Sequence, residues 1–162
     1  MRVRLRPRQE RVIKVGDYSS KVPVSIYGRA EIAQAARLMR DQHVGFLVVH
    51  KEGDDLRRPI GVLTDRDIVI AVTACGVDPV SVMVQDVMTR EPIVARDSDQ
   101  LDDLLQAMRL AGIRRVPVVD VRGALVGLIS IDDAIAAVAG LMCSVAGSIK
   151  SEQRHEWRSR VG

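Results

Sequence analysis

The sequence predicts an α/β (α+β) protein built from two copies of one small unit, and three observations support this. The stretch GVLTDRDIV at residues 61–69 returns as GLISIDDAI at residues 127–135. Sliding the chain by 69 residues aligns residues 31–50 with residues 100–119. Within each copy, amphipathic helical stripes alternate with short β-branched runs, as expected of a repeated supersecondary unit.

Each copy is predicted to run strand, helix, strand, strand, helix. The first helix of each copy carries apolar residues at the i, i+3, i+4, i+7 spacing that buries one helix face. These stripes are Ile32, Ala35, Ala36 and Met39 in copy one, and Leu101, Leu104, Leu105 and Met108 in copy two. Asp97 or Ser98 is expected to cap the second of these helices. The first helix is expected to have the weaker cap, because Gly28 and Arg29 stand at those positions.

The apolar runs FLVV at 46–49 and VPVV at 116–119 are predicted to be strands buried on both faces. Their partners are IGVLT and LVGLIS, and closing helices follow at about residues 65–76 and 132–140. Both helices begin with acidic residues and end at a glycine, as the helix dipole and C-cap favour. Each unit is therefore predicted to be a small three-stranded sheet with two helices.

The predicted organisation has four parts: a basic segment at 1–19, a first repeat at 20–79, a second repeat at 80–140, and a C-terminal amphipathic helix or tail at 141–162. The net charge is +5 over residues 1–14 and +2 over residues 150–162, which leaves −4 for the body of a chain whose total is +3. The basic end is interpreted as a solvated tail or an arm that reaches a second subunit. This balance makes a nucleic-acid partner unlikely.

The remaining composition favours a cytoplasmic protein without catalysis. No apolar run is long enough to span a bilayer, and the N-terminus lacks a signal-peptide core. Cys75 and Cys143 stand apart from any ligand pattern, so we expect two reduced, partly buried cysteines and no metal site. The motifs of phosphate-binding loops, serine hydrolases and zinc proteases are missing from the sequence, so we expect no enzyme.

A hydroxyl and a carboxylate recur three residues apart at the predicted strand-to-helix junctions, as Thr64 with Asp67 and as Ser130 with Asp133. One interpretation is a capping box, in which the two side chains satisfy the first amides of the helix. The other is a ligand site, because amides at a helix N-terminus attract phosphate and a carboxylate accepts hydrogen bonds from both ribose hydroxyls. The two roles are compatible.

The repeated segments resemble the cystathionine β-synthase (CBS) domain, and two in tandem resemble a Bateman module, over roughly residues 20–140. The most specific stretches are HVGFLVV…PIGVLTDRDIV and DVMTREPIVARDSDQLDDLLQAMRLAGIRRVPVVD…LVGLISIDDAI. This resemblance implies two repeats packed by their sheets about a pseudo-twofold axis, with two clefts. It also implies an adenosine-containing regulatory ligand (AMP, ADP, ATP, S-adenosylmethionine or NAD), no catalytic cofactor and a disk-shaped homodimer.

The resemblance also implies roles for individual residues. Thr64 with Asp67 and Ser130 with Asp133 are expected to hold ribose, residues Val24, Ser25, Ile93 and Val94 to flank adenine, and Arg114 and Arg115 to reach phosphate in the Asp67 cleft. Arginine suits phosphate because its donors form a rigid fork. The alternative is that these arginines, and His43 as well, are solvated loop residues. Gly45 and Phe46 take the arginine positions in copy one, so the Asp67 cleft is predicted to be the stronger site.

Three functions follow from these expectations. The first is a regulatory module that binds an adenosine ligand, signals by conformational change, and passes the signal to an effector protein that the sequence does not identify. The second is a structural dimerisation or protein-interaction module with vestigial clefts. The third, least favoured, is a nucleic-acid-associated regulator that uses the basic ends.

Overall fold

The computed structural model describes residues 13–20, 23–140 and 142–143. Both copies have the predicted order strand, helix, strand, strand, helix. The elements up to the end of the first copy are α1 (Val15–Tyr18), β1 (Ser25–Tyr27), α2 (Ile32–Asp41), β2 (Phe46–His50), β3 (Gly61–Thr64) and α3 (Asp65–Ile68), which continues as a π-helical turn over Val69–Thr73. The others are α4 (Val84–Val87), β4 (Thr89–Arg90), β5 (Ala95–Arg96), α5 (Leu101–Ala111), β6 (Arg115–Val119), β7 (Leu125–Ser130) and α6 (131–140).

The strands form two small sheets, ordered β1-β2-β3-β4 and β5-β6-β7. In each sheet the first two strands are parallel and the next pair is antiparallel. The second sheet has the three strands that the sequence predicts. The first has four, because β4 arrives from the start of the second copy and pairs with Gly61 and Val62 of β3.

The short helices that precede the first helix–strand unit of each copy, α1 and α4, are exchanged between the copies. Val15 of α1 donates its backbone N–H to Asp99 O at 2.9 Å, and Val15 is buried in the core of the second copy. In return, the backbone N–H of Val84 in α4 donates to Ala30 O at 2.9 Å, and Val84 is buried in the core of the first copy. The two copies therefore share structural elements, and neither core is completed by its own copy alone.

This exchange explains the glycine that opens both repeated stretches. A Cβ on Gly127 would lie 2.7 Å from Ser20 O and 2.8 Å from Ser19 Oγ, in the segment that follows α1. A Cβ on Gly61 would collide with Met88 Sδ and lie 3.0 Å from Thr89 O, in the segment that follows α4. Each glycine leaves room for the backbone that the other copy contributes.

Three apolar clusters hold the fold together. Both predicted helical stripes face a core, with Ile32, Ala35 and Met39 buried in one helix, whereas Ala36 is exposed, contrary to prediction. All five residues of β2 are buried, which confirms a strand covered on both faces. Leu47 and Val49 belong to the first core, while Phe46 and Val48 on the other face pack with Leu125 of the second copy.

The predicted helix caps are wrong in both copies. The helix α5 begins after Gln100, which makes no side-chain cap. Neither Asp97 nor Ser98 caps this helix, because the Asp99 carboxylate closes the preceding turn by accepting the Arg96 N–H at 2.8 Å. The helix α2 has the better start, since Gln34 Oε1 accepts the backbone N–H of Glu31 at 3.2 Å.

Several expectations concern the ends of the chain. The stretch 131–140 is helical, close to the predicted 132–140, and residues 142 and 143 are also helical. The rest of the predicted C-terminal helix, at 144–162, and the basic residues 1–12 lie outside the described residues. Cys75 and Cys143 are both exposed rather than partly buried. Within the described part of the chain, no helix is long and apolar enough to cross a bilayer.

Candidate ligand-binding cleft

The hydroxyl–carboxylate pair of the first copy forms a capping box at the junction of β3 and α3. Thr64 Oγ1 accepts the backbone N–H of Asp67 at 3.1 Å, and Asp67 Oδ2 accepts the backbone N–H of Thr64 at 2.8 Å. The Thr64 hydroxyl also donates to Asp67 Oδ2 at 2.7 Å. One carboxylate oxygen thus serves the cap, while Oδ1 has no hydrogen bond to any described residue.

The second copy repeats this geometry at the junction of β7 and α6. Asp133 Oδ2 accepts the Ser130 N–H at 2.7 Å and the Ser130 hydroxyl at 2.6 Å, while Ser130 Oγ accepts the Asp133 N–H at 3.2 Å. The capping interpretation is therefore correct for both pairs. Because the caps are equal, any difference between the two clefts must come from the residues around them.

A cavity of about 580 Å³ lies against the Thr64–Asp67 pair. The first copy contributes Thr64 and Asp67, and the second contributes Ile93, Arg114 and Arg115. The remaining lining residues are Gly45, Phe46, Val62, Asp65, Arg66, Thr89, Glu91, Pro92, Gly112, Ile113 and Pro117. The cavity therefore brings together the four residues that are predicted for the stronger cleft with Ile93, one of the residues expected to flank adenine, and it spans both copies.

The arginines of this cavity have no partner for their charge among the residues that the structure describes. Arg114 and Arg115 are exposed, and among the described residues neither side chain makes a hydrogen bond or an ion pair. The same is true of the side chain of Arg66, which lies between Asp65 and Asp67 at the start of α3. The cavity thus offers guanidinium donors that a ligand anion would satisfy.

The position of Arg114 in the second copy corresponds to Gly45 in the first, and both residues make the same backbone contact. Each accepts, through its backbone carbonyl, the N–H at the start of the closing helix: Asp65 N–H to Gly45 O at 3.2 Å and Ile131 N–H to Arg114 O at 3.0 Å. A Cβ on Gly45 would lie 2.6 Å from Asp65 Oδ2, so a larger residue there would require the exposed Asp65 side chain to move. The two copies thus share this backbone contact and differ in the side chains beside it.

The other predicted site residues lie elsewhere. Ser25 lines a different cavity, of about 460 Å³, together with Tyr27 and His50. Val94 lines a third, of about 420 Å³, and only Ile93 is shared with the Asp67 cavity. Val24 is half-buried and packs against the first core. The offset of 69 places the counterparts of Arg90 and Glu91 at residues 21 and 22, which lie outside the described residues.

His43 is exposed and adopts a left-handed backbone conformation with φ of 53°. Gly112, its counterpart in the second copy, has φ of 66° and ends α5. His43 thus occupies the turn that terminates a helix, a position that favours glycine. Among the described residues its side chain makes no hydrogen bond, and it does not line the Asp67 cavity.

Sequence reasoning missed two features of the cavity. Glu91 places a carboxylate on its wall, and Gly45 keeps space open beside Asp65. The sequence did carry a signal for Gly45, because aligning the two copies places this glycine opposite Arg114. Glu91 gave no such signal, since a charged residue before a proline is ordinary in a loop.

Two repeats that exchange their leading segments, each with the same capped strand-to-helix junction, define a tandem CBS-type pair. The CBS domain family model matches residues 15–74 and 84–140, so the chain belongs to the CBS domain family. It is 36% identical over 125 residues to the CBS domain-containing protein YhcV of Bacillus subtilis, covering 77% of this chain and 84% of that one.

Solved structures of CBS proteins have the same fold. The CBS domain protein PAE2072 from Pyrobaculum aerophilum, complexed with AMP, superposes with a TM-score of 0.68 at 31% identity, covering 75% of this chain and 89% of that one. The CBS domain pair of protein MJ0100, in complex with 5′-methylthioadenosine and S-adenosyl-L-methionine, gives a TM-score of 0.68 at 25% identity, over 80% and 98% of the two chains.

Proposed function

We propose that this protein is a non-enzymatic regulatory module of the cytoplasm that binds an adenosine-containing ligand in the Asp67 cavity. The observation that carries the proposal is the composition of that cavity. It joins a capped hydroxyl–carboxylate pair of one copy to two arginines of the other copy that have no partner among the described residues. A ribose phosphate presents the complementary groups, namely a vicinal diol and an anion.

Asp67 is suited to hold the ribose without losing its structural role. Its Oδ2 atom accepts the hydrogen bonds from Thr64, which fixes the orientation of the carboxylate. The Oδ1 atom is then available to accept a ribose hydroxyl, and a preorganised acceptor loses little entropy when the ligand binds. The aliphatic side chains of Ile93 and Val62 supply apolar surface for a base.

The relatives support the same class of ligand. PAE2072 is described as complexed with AMP, and the MJ0100 pair with 5′-methylthioadenosine and S-adenosyl-L-methionine. AMP, ADP, ATP, S-adenosylmethionine and NAD are therefore the ligands we propose to test. The arginines favour the phosphorylated members of this set.

A ligand in this cavity would change the arrangement of the two copies because its contacts come from both of them. Thr64 and Asp67 come from the first copy, and Arg114 and Arg115 from the second, so a ligand that touches all four connects the copies. Such a ligand favours the arrangement in which both contacts are made, and it shifts the population by its difference in affinity for the two arrangements. An effector protein would then respond to that shift.

We also infer that two chains pair as a homodimer. The closing helices of both copies expose large apolar side chains: Val69 and Ile70 in the first, and Ile135, Val138 and Met142 in the second. Exposed apolar patches of this kind mark interaction surfaces. The corresponding faces of two copies within one chain suit an isologous contact with a second chain.

The proposal is tested by calorimetric titration of the full chain and of two matched variants, Asp67→Ala and Asp133→Ala. Both variants lose the same capping hydrogen bonds, so structural damage is expected to be equal in the two. We expect the dissociation constant to rise at least about tenfold in Asp67→Ala, because the ribose loses its acceptor and a lost charged hydrogen bond costs about 1.5–3 kcal/mol. We expect a rise of less than about threefold in Asp133→Ala, because its carboxylate lies outside the Asp67 cavity.

The structural alternative makes a different prediction from the same titration. If none of AMP, ADP, ATP, NADH and S-adenosylmethionine binds the folded chain, the clefts are vestigial and the protein is a dimerisation or interaction module. The nucleic-acid alternative would instead require DNA or RNA binding that weakens with salt and is lost when residues 1–14 are removed.

A further inference from the structure

The Asp67 cavity carries six charged side chains whose formal charges cancel. They are Arg66, Arg114 and Arg115 against Asp65, Asp67 and Glu91. Two of the acids are engaged at the start of α3, where Asp67 accepts from Thr64 and Asp65 Oδ1 accepts the backbone N–H of Arg66 at 2.8 Å. Glu91 differs, since its side chain makes no hydrogen bond or ion pair to any described residue.

Glu91 and Arg114 reach the same cavity from different segments of the chain. Glu91 directly follows β4, which pairs with β3 in the first sheet, and Arg114 directly precedes β6 in the second. The Glu91 carboxylate therefore shares the cavity with arginines that are available to a phosphate, and it forms no ion pair with any described residue.

The backbone of Glu91 is the second unusual feature. Its φ is 49°, in the left-handed region. A residue with a Cβ is strained in this region, and the residue before a proline, here Pro92, prefers an extended conformation. Strained positions of this kind concentrate at binding sites. The chain thus maintains a strained conformation where it places a negative charge on the cavity wall.

We propose that Glu91 makes this cavity selective for adenosine monophosphate over adenosine di- and triphosphates, an inference that rests on the proposed function. One phosphate meets three arginines that have no other partner among the described residues. Each further phosphate adds negative charge that must share the same arginines and approach Glu91. Like charges at close range in a partly enclosed cavity repel, so affinity falls as the phosphate chain grows.

The test is the ratio of AMP to ATP affinity, measured by calorimetry without divalent metal ions and at constant ionic strength. We expect the wild-type chain to bind AMP about tenfold more tightly than ATP, as a single unscreened like-charge contact near the surface implies. In Glu91→Gln the ratio should fall about fivefold. In Glu91→Lys, which reverses the charge at the same point of the cavity wall, ATP should bind as tightly as AMP or more tightly.

Two further variants separate the charge from other effects. Glu52→Gln removes one negative charge from an exposed position that lines a different cavity, and it should leave the ratio unchanged. Glu91→Gly removes the charge and relieves the backbone strain, so its ratio should match that of Glu91→Gln. Raising the salt concentration from about 0.05 to 0.5 M should shrink the difference between wild type and Glu91→Gln.

The outcomes are distinguishable. Wild-type affinity for ATP equal to or above that for AMP overturns the selectivity, as does an unchanged ratio in Glu91→Gln. A change in Glu91→Gly without a change in Glu91→Gln assigns the effect to the backbone and also overturns it. If the folded wild type binds neither AMP nor ATP nor any other adenosine ligand, the proposed function itself fails.

Discussion

The two repeats of this protein have the same fold and the same capped junction, yet they differ at the position that holds an arginine in one copy and a glycine in the other. The first residue of the closing helix differs as well. In the first copy this residue is Asp65, whose Oδ2 lies 2.6 Å from the position of a Cβ on Gly45. In the second copy it is Ile131, and Arg114 takes the position of the glycine. Two copies of one backbone thus bring different charged side chains to their clefts.

The exchange of leading segments is the feature that the repeats share most closely. α1 packs on the second copy and α4 on the first, and the segment that follows each helix lies close to a glycine in a strand of the other copy. The repeated sequence therefore encodes contacts between the copies as well as within them. Three measurements of stability compare corresponding positions in the two repeats.

The largest expected loss of stability follows from replacing the glycines that open the repeated stretches, Gly61 and Gly127. Gly127→Ala should lower the free energy of unfolding by about 3 kcal/mol, because the new Cβ meets the Ser20 backbone carbonyl at 2.7 Å and the strand must move. Gly61→Ala should cost about 1 kcal/mol, since its nearest contact is the end of the flexible Met88 side chain. Urea unfolding measures both losses.

The control for the glycine experiment is Gly140→Ala, where a Cβ meets no atom of the described residues within 4 Å. This change should leave stability unchanged or raise it, because alanine favours a helix over glycine. Equal losses at Gly61 and Gly127, or a larger loss at Gly61, would contradict the difference in packing between the two exchanged segments.

A smaller effect of about 1 kcal/mol is expected at the turns that end the first helices. Gly112→Ala should destabilise by about 1 kcal/mol, because φ is 66° and no steric contact contributes. His43→Gly should stabilise by about 0.5 kcal/mol, because relief of the left-handed strain exceeds the entropy that glycine adds to the unfolded chain. Thermal unfolding of both variants measures this; a loss of stability in His43→Gly would assign the histidine a role beyond the turn.

The smallest effect concerns two loops that correspond in the copies and touch each other, since Leu125 N–H donates to Leu56 O at 3.0 Å. The backbone N–H of Arg58 lowers the pKa of Asp54, and the backbone N–H of Ala124 lowers the pKa of Asp120. A carboxyl whose pKa is lowered on folding stabilises the protein above its unfolded pKa of about 3.9, and that contribution is lost as the pH falls through the folded value.

Below about pH 4, therefore, the unfolding temperature of the wild type should fall more steeply than that of Asp54→Asn or Asp120→Asn, by roughly 2 °C. The larger difference is expected for Asp120→Asn, because its carboxylate accepts backbone N–H groups at 2.8 and 2.9 Å, against 3.0 and 3.2 Å for Asp54. If the unfolding temperature falls equally with pH in all three proteins, these two carboxylates contribute nothing to the stability of the fold.

Much of the fold was predictable because its signals are local. The hydrophobic period indicated the helices and buried strands, and the duplicated motif indicated the number of units. The fourth strand of the first sheet was not predictable, since β4 pairs across the boundary between the copies. The predicted cap of α5 was wrong because the helix begins only after Gln100, and the Asp99 carboxylate closes the turn before it by accepting the Arg96 N–H.

The sequence by itself determined the repeat, the capped pairs at Thr64 and Ser130, and the paired arginines that precede the buried strand in one copy only. These follow from residue type and spacing, which set local hydrogen bonds and helix faces. Only the tertiary structure decided which distant residues meet. It placed Thr64 and Asp67 in one cavity with Arg114 and Arg115, and it brought Glu91 to the wall of that cavity. The physical reason is that the copies pack through shared elements, so each cleft depends on contacts between residues far apart in the chain.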